Sequence, residues 1–429
     1  MKVLLISHNP ITTYNNMGKT FLALFSDFRP DELCQLYLYP TVPDTNHCES
    51  YYRFTDRDAL RSLADRRVVG SEVFPDLEHH IEFSSEKEER IYRASRNQGG
   101  VARLGRDVVW SLSHWNNAAL NEWLDQQAPD LVFAAVGEQE LLYNVAMTVA
   151  RQRGLPLIAY VCDDYYYSSG NGGLIQGLRR KRLRGKIREL MRTAALTVTI
   201  CRELTDGYAE TFGVKAETVM TCPMICARPY VGHGPGPRHL VYMGNIEVGR
   251  EQPLLELGRA LDAENRAAGT AHTLEIYTGS KRPEALERLA ACPAIRLHGF
   301  VTGAAYKAAF DSADAFVHVE SFDENNRERV RYSVSTKIIE CLASGRPLLA
   351  YGPEDIASMA YLRRNDCAAL ACSRQELPAT VRAVLTQEPY RAELVGHAMA
   401  VSGREAGNSR RLHQLLEGVL RDRMCAVCR

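Results

Sequence analysis

The chain has 429 residues, 45% hydrophobic and 24% charged, an ordinary globular composition that excludes a mainly disordered protein. Lys plus Arg and Asp plus Glu each number 52, so the formal net charge is zero and a uniformly basic nucleic-acid binder is excluded. The length exceeds one ordinary hydrophobic core, so two domains are expected.

The opening MKVLLISHNP reads as a strand over 3–7, its apolar run too short for a signal-peptide core or a membrane span. Short apolar, β-branched segments follow at 35–39, 131–136, 157–161, 196–200 and 218–221. Stretches of helical period lie between them, for example 138–151 and 203–211, the pattern of βαβ units around a parallel sheet. Residues 41–115 break the pattern and read as extra loops and helices.

Three features of this half carry candidate chemistry. Gly18-Lys19-Thr20 follows the first strand, but Thr13 stands where a phosphate-binding P-loop needs glycine. With His8, Gly18 and Lys19 are expected to line a ligand cleft. Asp56-Arg57-Asp58 has the look of a metal-holding acid pair, yet Thr55 with Asp58 three residues on reads as a helix start. Asp163-Asp164, after the strand at 157–161, is either an acid pair facing a ligand or a turn with a cap.

Segment 179–192 holds eight cations and one acid, with Leu183, Ile187, Leu190 and Met191 on one helix face. Such a helix either packs on its own sheet with a solvated charged face or lies on an anionic membrane. The chain is expected in the cytoplasm, and under the second alternative peripheral on the inner membrane face. Twelve cysteines are scattered, mostly in apolar segments, as small core residues are. The pairs Cys222/Cys226 and Cys425/Cys428 have nothing to bring them together as a zinc site.

At 225–238 the run ICARPYVGHGPGPR reads as a linker between a domain at 1–224 and one at 239–405. A second alternating series has strands at 239–243, 274–278, 295–298, 315–319, 348–351 and 368–371. The fold class is therefore α/β, two doubly wound units with ligands at the carboxyl ends of the strands. Helices at 389–401 and 409–420 close the chain, the latter striped by Leu412, Leu415, Leu416, Val419 and Leu420.

The most informative stretch is 313–353, ADAFVHVESFDENNRERVRYSVSTKIIECLASGRPLLAYGP. A strand ends in Glu320-Ser321, and Ser333 and Ser335 offer N-caps to a helix near 336–343 that Gly345 and Pro347 terminate. Free amides at such a helix start suit an anion. Lys337 opposes the helix dipole unless an anion lies nearby, and Glu340, one turn on, can accept hydrogen bonds from sugar hydroxyls.

The run Ser335–Pro347, STKIIECLASGRP, resembles the donor-binding motif of GT-B glycosyltransferases, close to the retaining family 4 group. Ala313–Val317, Tyr242–Asn245, Tyr277–Ser280 and Leu297–Val301 match the same pattern in order and spacing, so the resemblance covers roughly 238–353, and the first half in outline. It implies two Rossmann-like domains facing across a cleft, the first for acceptor and the second for donor, with 406–429 returning to the first. It also implies Glu340 on the donor ribose, Phe300 and Val301 beside the base, and Arg250 and Lys337 on the diphosphate. Asn245, Gly279, Ser280, Ser335 and Thr336 complete the donor pocket, and Asp163 lies at the transferred sugar.

Members of the group often carry a second acid eight positions before the one matching Glu340, where this chain has Tyr332. Glu320, Asp323, Glu324 and Glu328 are the candidates to replace it, and Glu320 is taken with Asp163 as catalytic. The implied reaction moves sugar from a nucleotide-diphosphate donor to a hydroxyl of a glycan or lipid-linked acceptor, with retention. Polysaccharide or glycolipid assembly is the implied setting; neither metal nor other cofactor is expected, and nucleic acid is not an expected partner. The alternatives are a nucleotide-sugar epimerase of the same fold and a non-catalytic nucleotide-sugar-binding scaffold.

Overall fold

A computed structural model describes residues 1–78, 100–167, 173–232, 234 and 236–427. They fall into two compact units. The first combines the described residues up to Met220 with those from Asn408 onward, and the second holds the described residues from Thr221 to Gly407.

The first unit is built on β1 (Val3–Ser7), β2 (Leu33–Tyr37), β3 (Ser50–Arg53), β4 (Ser71–Val73), β5 (Leu131–Ala135), β6 (Leu157–Val161), β7 (Leu196–Thr199) and β8 (Ala216–Thr218). Their order across the sheet is β4-β3-β2-β1-β5-β6-β7-β8. Every pair is parallel except β3 with β4. The central strands are continuous apolar runs buried along their whole length, as helices on both sheet faces require. Strands β3 and β4 correct the expectation of loops and helices over 41–115. Their sequences, SYYR and SEV, are too short to show an apolar period, and β4 at the sheet edge does not need one.

The helix Asp56–Ser62 starts with a capping box, Asp58 accepting from the Thr55 amide at 2.9 Å. Asp56 accepts from Arg106 Nε at 2.8 Å and Trp110 Nε1 at 2.6 Å, so both acids are engaged in the fold. The helix Leu174–Thr193 buries Leu183, Ile187, Leu190 and Met191. Arg184 Nε donates to the Tyr166 carbonyl at 2.7 Å and Arg188 Nε to the Tyr166 hydroxyl at 3.0 Å. Much of its positive charge is thus held within the unit.

The last helix, Asn408–Val427, packs in this first unit with Leu412 and Leu416 fully buried. Polar contacts fix its start: Ser409 Oγ accepts from the Asp27 amide at 2.9 Å, and Asn408 Nδ2 donates to the Met220 carbonyl at 2.9 Å. One turn on, His413 Nε2 lies 3.1 Å from Glu32.

The second unit holds β9 (His239–Met243), β10 (Thr273–Tyr277), β11 (Ile295–His298), β12 (Ala315–Val319), β13 (Leu348–Tyr351) and β14 (Ala369–Ala371). They form an all-parallel sheet in the order β11-β10-β9-β12-β13-β14. The segment expected as a linker packs on this unit. Arg228 donates its amide to the Ala343 carbonyl at 2.9 Å, and Arg391 Nε donates to the Tyr230 hydroxyl at 3.1 Å. Gly345, with φ +76°, ends the helix Lys337–Ala343 in the left-handed conformation; a Cβ there would stand 2.6 Å from the Pro229 carbonyl oxygen. Among the described residues no helix is long and apolar enough to cross a membrane.

Candidate functional site

In the second unit the chain builds outward from β9 to β11, then returns to the other side of β9 with β12. The crevice at the carboxyl ends of β9 and β12 is therefore a topological switch point, where doubly wound sheets bind ligands. The residues that meet there come from positions seventy apart. Arg250 follows β9 through a turn with positive φ at Val248 (+58°) and Gly249 (+71°). A Cβ on Gly249 would fall 2.5 Å from Asn326 Nδ2 and 2.6 Å from Ser321 Oγ, so only glycine lets this loop approach the one after β12.

Glu320 immediately follows β12 and takes the Arg250 guanidinium in both oxygens, Nε at 3.1 Å and Nη2 at 3.0 Å. The side chains are 17% and 3% exposed respectively. Burial works against the Arg250 charge, but the Glu320 carboxylate and Tyr242 together outweigh it and hold the guanidinium above its ordinary pKa. Arg250 Nη1 also donates to Asn245 Oδ1 at 3.1 Å. His318, two residues before Glu320 on β12, is buried with Nε2 3.1 Å from Ser358 Oγ and 3.4 Å from Glu320. Burial pushes its imidazole down to about 4, against the pull of the carboxylate. It is therefore neutral at pH 7.

The loops after β10 and β11 form a second part of the site. Ser280 Oγ donates to Glu247 at 2.8 Å, tying the β10 loop to the β9 loop. A Cβ on Gly279 would lie 3.4 Å from the Phe300 Cβ. Phe300 is 74% exposed, a large aromatic face in solvent, with half-buried Val301 beside it. The third part is the helix Lys337–Ala343, with Thr336 at its N-cap and Ser335 accepting the Ile338 amide at 3.0 Å. Ser333 and Ser335 are the expected caps, but the N-cap position is held by Thr336, which has helical angles and no side-chain cap bond. Glu340 Oε1 accepts from the Met224 amide at 2.7 Å.

Residues 257–417 match the family model described as glycosyl transferase-like. The Anabaena protein HepE, solved with UDP-glucose, is similar with a TM-score of 0.60 at 11% identity, over 97% of this chain and 100% of its own. The fold is GT-B. Sucrose-phosphate synthase from Thermosynechococcus elongatus matches with a TM-score of 0.60 at 10% identity, over 98% of this chain and all of its own. WaaG, a glycosyltransferase involved in lipopolysaccharide biosynthesis, matches at 0.55 and 11% identity, over 96% and 99%. No curated protein matches the chain by sequence.

Within this GT-B chain the expected site residues separate. Arg250, Asn245 and Glu320 are in direct contact; Gly279 and Phe300 pack together; Ser335, Thr336, Lys337 and Glu340 share one helix start. Glu320, expected as a catalytic acid, has both oxygens occupied by Arg250.

In the first unit, the acid pair after β6 divides. Asp164 is buried and accepts the amides of Tyr166 and Tyr167, each at 2.9 Å, which is the turn reading, while Asp163 is half-buried at the strand's carboxyl end. Gly18, expected toward an acceptor, faces its own loop: a Cβ there would fall 2.2 Å from Thr12 Oγ1. Lys19 is exposed, and half-buried His8 stacks edge-on against Tyr39. Sequence reasoning passed over His318, Ser358, Glu247 and Met224. Only His318 left a signal, as a polar residue inside a strand otherwise reading as fully buried.

Proposed function

We propose that the protein is a glycosyltransferase that moves a sugar from a nucleotide-diphosphate donor to a hydroxyl acceptor. The Arg250 guanidinium, clamped by Glu320 at the switch point of the donor unit, carries this reading. Breaking the bond between the anomeric carbon and the diphosphate oxygen leaves negative charge on the diphosphate. A forked cation already held in place stabilises that charge without reorganising. In this reading Arg250 and Lys337 receive the diphosphate, and Glu320 is a positioning residue for Arg250. Phe300 stacks on the base, Glu340 binds the ribose hydroxyls, and Asp163 addresses the transferred sugar. The charge work is done by side chains and backbone, so no metal is assigned.

The finer reading is retention of configuration, with a glycan or lipid-linked acceptor in polysaccharide or glycolipid assembly on the cytoplasmic side of a membrane. Because HepE was crystallised with UDP-glucose, the uridine diphosphate series is the first donor class to test. A thermal-shift screen of nucleotide diphosphates should show a selective rise in melting temperature, since a ligand that binds only the folded state raises apparent stability. Product analysis with the matching nucleotide sugar then separates transfer from epimerisation. A nucleotide-sugar binder that neither transfers nor slowly hydrolyses any donor is a scaffold, and that result refutes the proposal.

A further inference from the structure

The first unit contains a cavity of about 240 Å³ lined by residues of the helices Gly100–Leu112, Glu140–Gln152 and Leu174–Thr193. Its lining includes Asp107, Trp115, Glu140, Asn144, Thr148 and Arg182. The two carboxylates are unusual. Each side chain is only 10% exposed, yet neither accepts a hydrogen bond among the described residues. Their nearest cations stand off at 3.5 Å, Arg179 from Asp107 and Arg182 from Glu140. Arg179 Nε, which faces Asp107, has no hydrogen-bond partner among the described residues either. Burial holds Glu140 above the ordinary carboxylate range, with Arg182 pulling the other way. Neither carboxylate has an oxygen among the fully buried, unpartnered side-chain atoms, so both remain open through the cavity to donors from water or a ligand.

We propose that this cavity binds one neutral pyranose ring of a glycan. Asp107 and Glu140 are already balanced by Arg179 and Arg182, so a cationic ligand gains little there, while hydroxyl groups supply the donors that both carboxylates lack. Asn144 and Thr148, one turn apart on the same helix, add neutral polar groups. Half-buried Trp115 offers an indole face to the C–H side of a ring, and Trp110 closes the wall with its Nε1–H already given to Asp56. Volume agrees: a cavity of roughly 150 Å³ accommodates benzene, so 240 Å³ leaves room for one ring with its hydroxyls but not for a nucleotide sugar. That the ring belongs to an acceptor glycan rests on the glycosyltransferase reading; the site's preference for a neutral polyol rests on the cavity alone.

The test titrates the full chain with methyl glucoside, methyl galactoside, methyl mannoside and N-acetylglucosamine, followed by saturation-transfer NMR. At least one sugar should bind, with about tenfold weaker affinity in Glu140→Gln, where one charge-assisted hydrogen bond is lost. Trp115→Ala should weaken the same sugar. If Glu140→Gln does not fold, Asn144→Ala at a half-buried helix position carries the comparison. Failure of all four sugars to bind, as expected if the cavity holds only water, overturns the proposal. So does binding that is unchanged in every variant. Nucleotide affinity measured on the same samples reports separately on the glycosyltransferase reading, since no residue varied here belongs to the second unit.

Discussion

Arg250 and Glu320 lie seventy positions apart in sequence and meet through two near-parallel hydrogen bonds of 3.1 and 3.0 Å at the carboxyl ends of adjacent strands. Glu320→Gln keeps the shape of the side chain but leaves the buried guanidinium without its counter-charge. Breaking a buried pair costs about 3–5 kcal/mol, and the partial exposure of Arg250 points to the lower end. Denaturant unfolding should show that loss together with weaker nucleotide binding. A variant with wild-type stability and wild-type nucleotide affinity would contradict the positioning role.

The neutral His318 beside this pair makes stability depend on pH. Its folded value near 4 lies below its ordinary 6.5, so between them the unfolded chain binds a proton that the folded chain does not. Stability should therefore fall as pH drops from about 6.5 to about 4, by on the order of 3 kcal/mol, and this contribution should level off below. His318→Gln should flatten that step in a pH series of unfolding free energies; an unchanged slope would show that another group causes it.

Phe300 and Glu340 should affect ligand binding far more than folding. Phe300→Ala removes a face that is 74% exposed, so stability should change by less than about 0.5 kcal/mol. Loss of base stacking should cost about 1–3 kcal/mol of nucleotide affinity. Glu340→Gln should cost about 1.5–3 kcal/mol of affinity while its amide oxygen keeps the Met224 contact. Calorimetric titration with nucleotide diphosphates decides both, and affinity intact in both variants would remove the donor-site assignment.

Leu416, fully buried in the last helix, should behave as a core residue of the first unit. Leu416→Ala should destabilise that unit by about 2–5 kcal/mol and leave nucleotide affinity of the native protein unchanged. Hydrogen exchange resolved by peptide would show the loss in β1, β2 and β5 rather than in β9 to β14. Uniform loss across both sheets would mean that the units unfold as one.

The basic helix carries a prediction about surfaces. Arg179, Arg182, Arg184 and Arg188 are engaged with groups of their own unit, which leaves Lys181 and Arg192 among the exposed cations. At about 1 kcal/mol per cation near an anionic leaflet, attraction should be weak and lost with added salt. Liposome sedimentation is expected to show a modest preference for anionic over neutral lipid at low ionic strength, diminished by Lys181→Gln; equal partitioning would end the membrane reading.

The central strands and the helix Lys337–Ala343 were legible because burial on both faces and a helix start after a strand leave strong one-dimensional patterns. The strand pair Ser50–Arg53 and Ser71–Val73 left none, since such short strands show no period and the second, at the edge, needs no apolar run. The role of Glu320 was hidden for a different reason. Sequence shows an acid at a strand end, but its partner is set by which strands become neighbours, and β9 and β12 are joined only after two intervening strands. The pair Asp163-Asp164 shows the limit at finer scale: adjacent acids look alike in sequence, and only the two amides on Asp164 separate the turn former from its half-buried neighbour.

The assignment of Asn408–Val427 to the first unit has a consequence for biosynthesis. Topologically the second unit is an insertion in the first, whose last helix leaves the ribosome after the whole of Thr221–Gly407. Until then the groove that receives Leu412 and Leu416 stands open in a nascent sheet that is otherwise complete. The usual order, in which the amino-terminal domain finishes first, is thereby reversed. The second unit is the first to become a closed domain, and the unit that begins the chain is the last to be sealed.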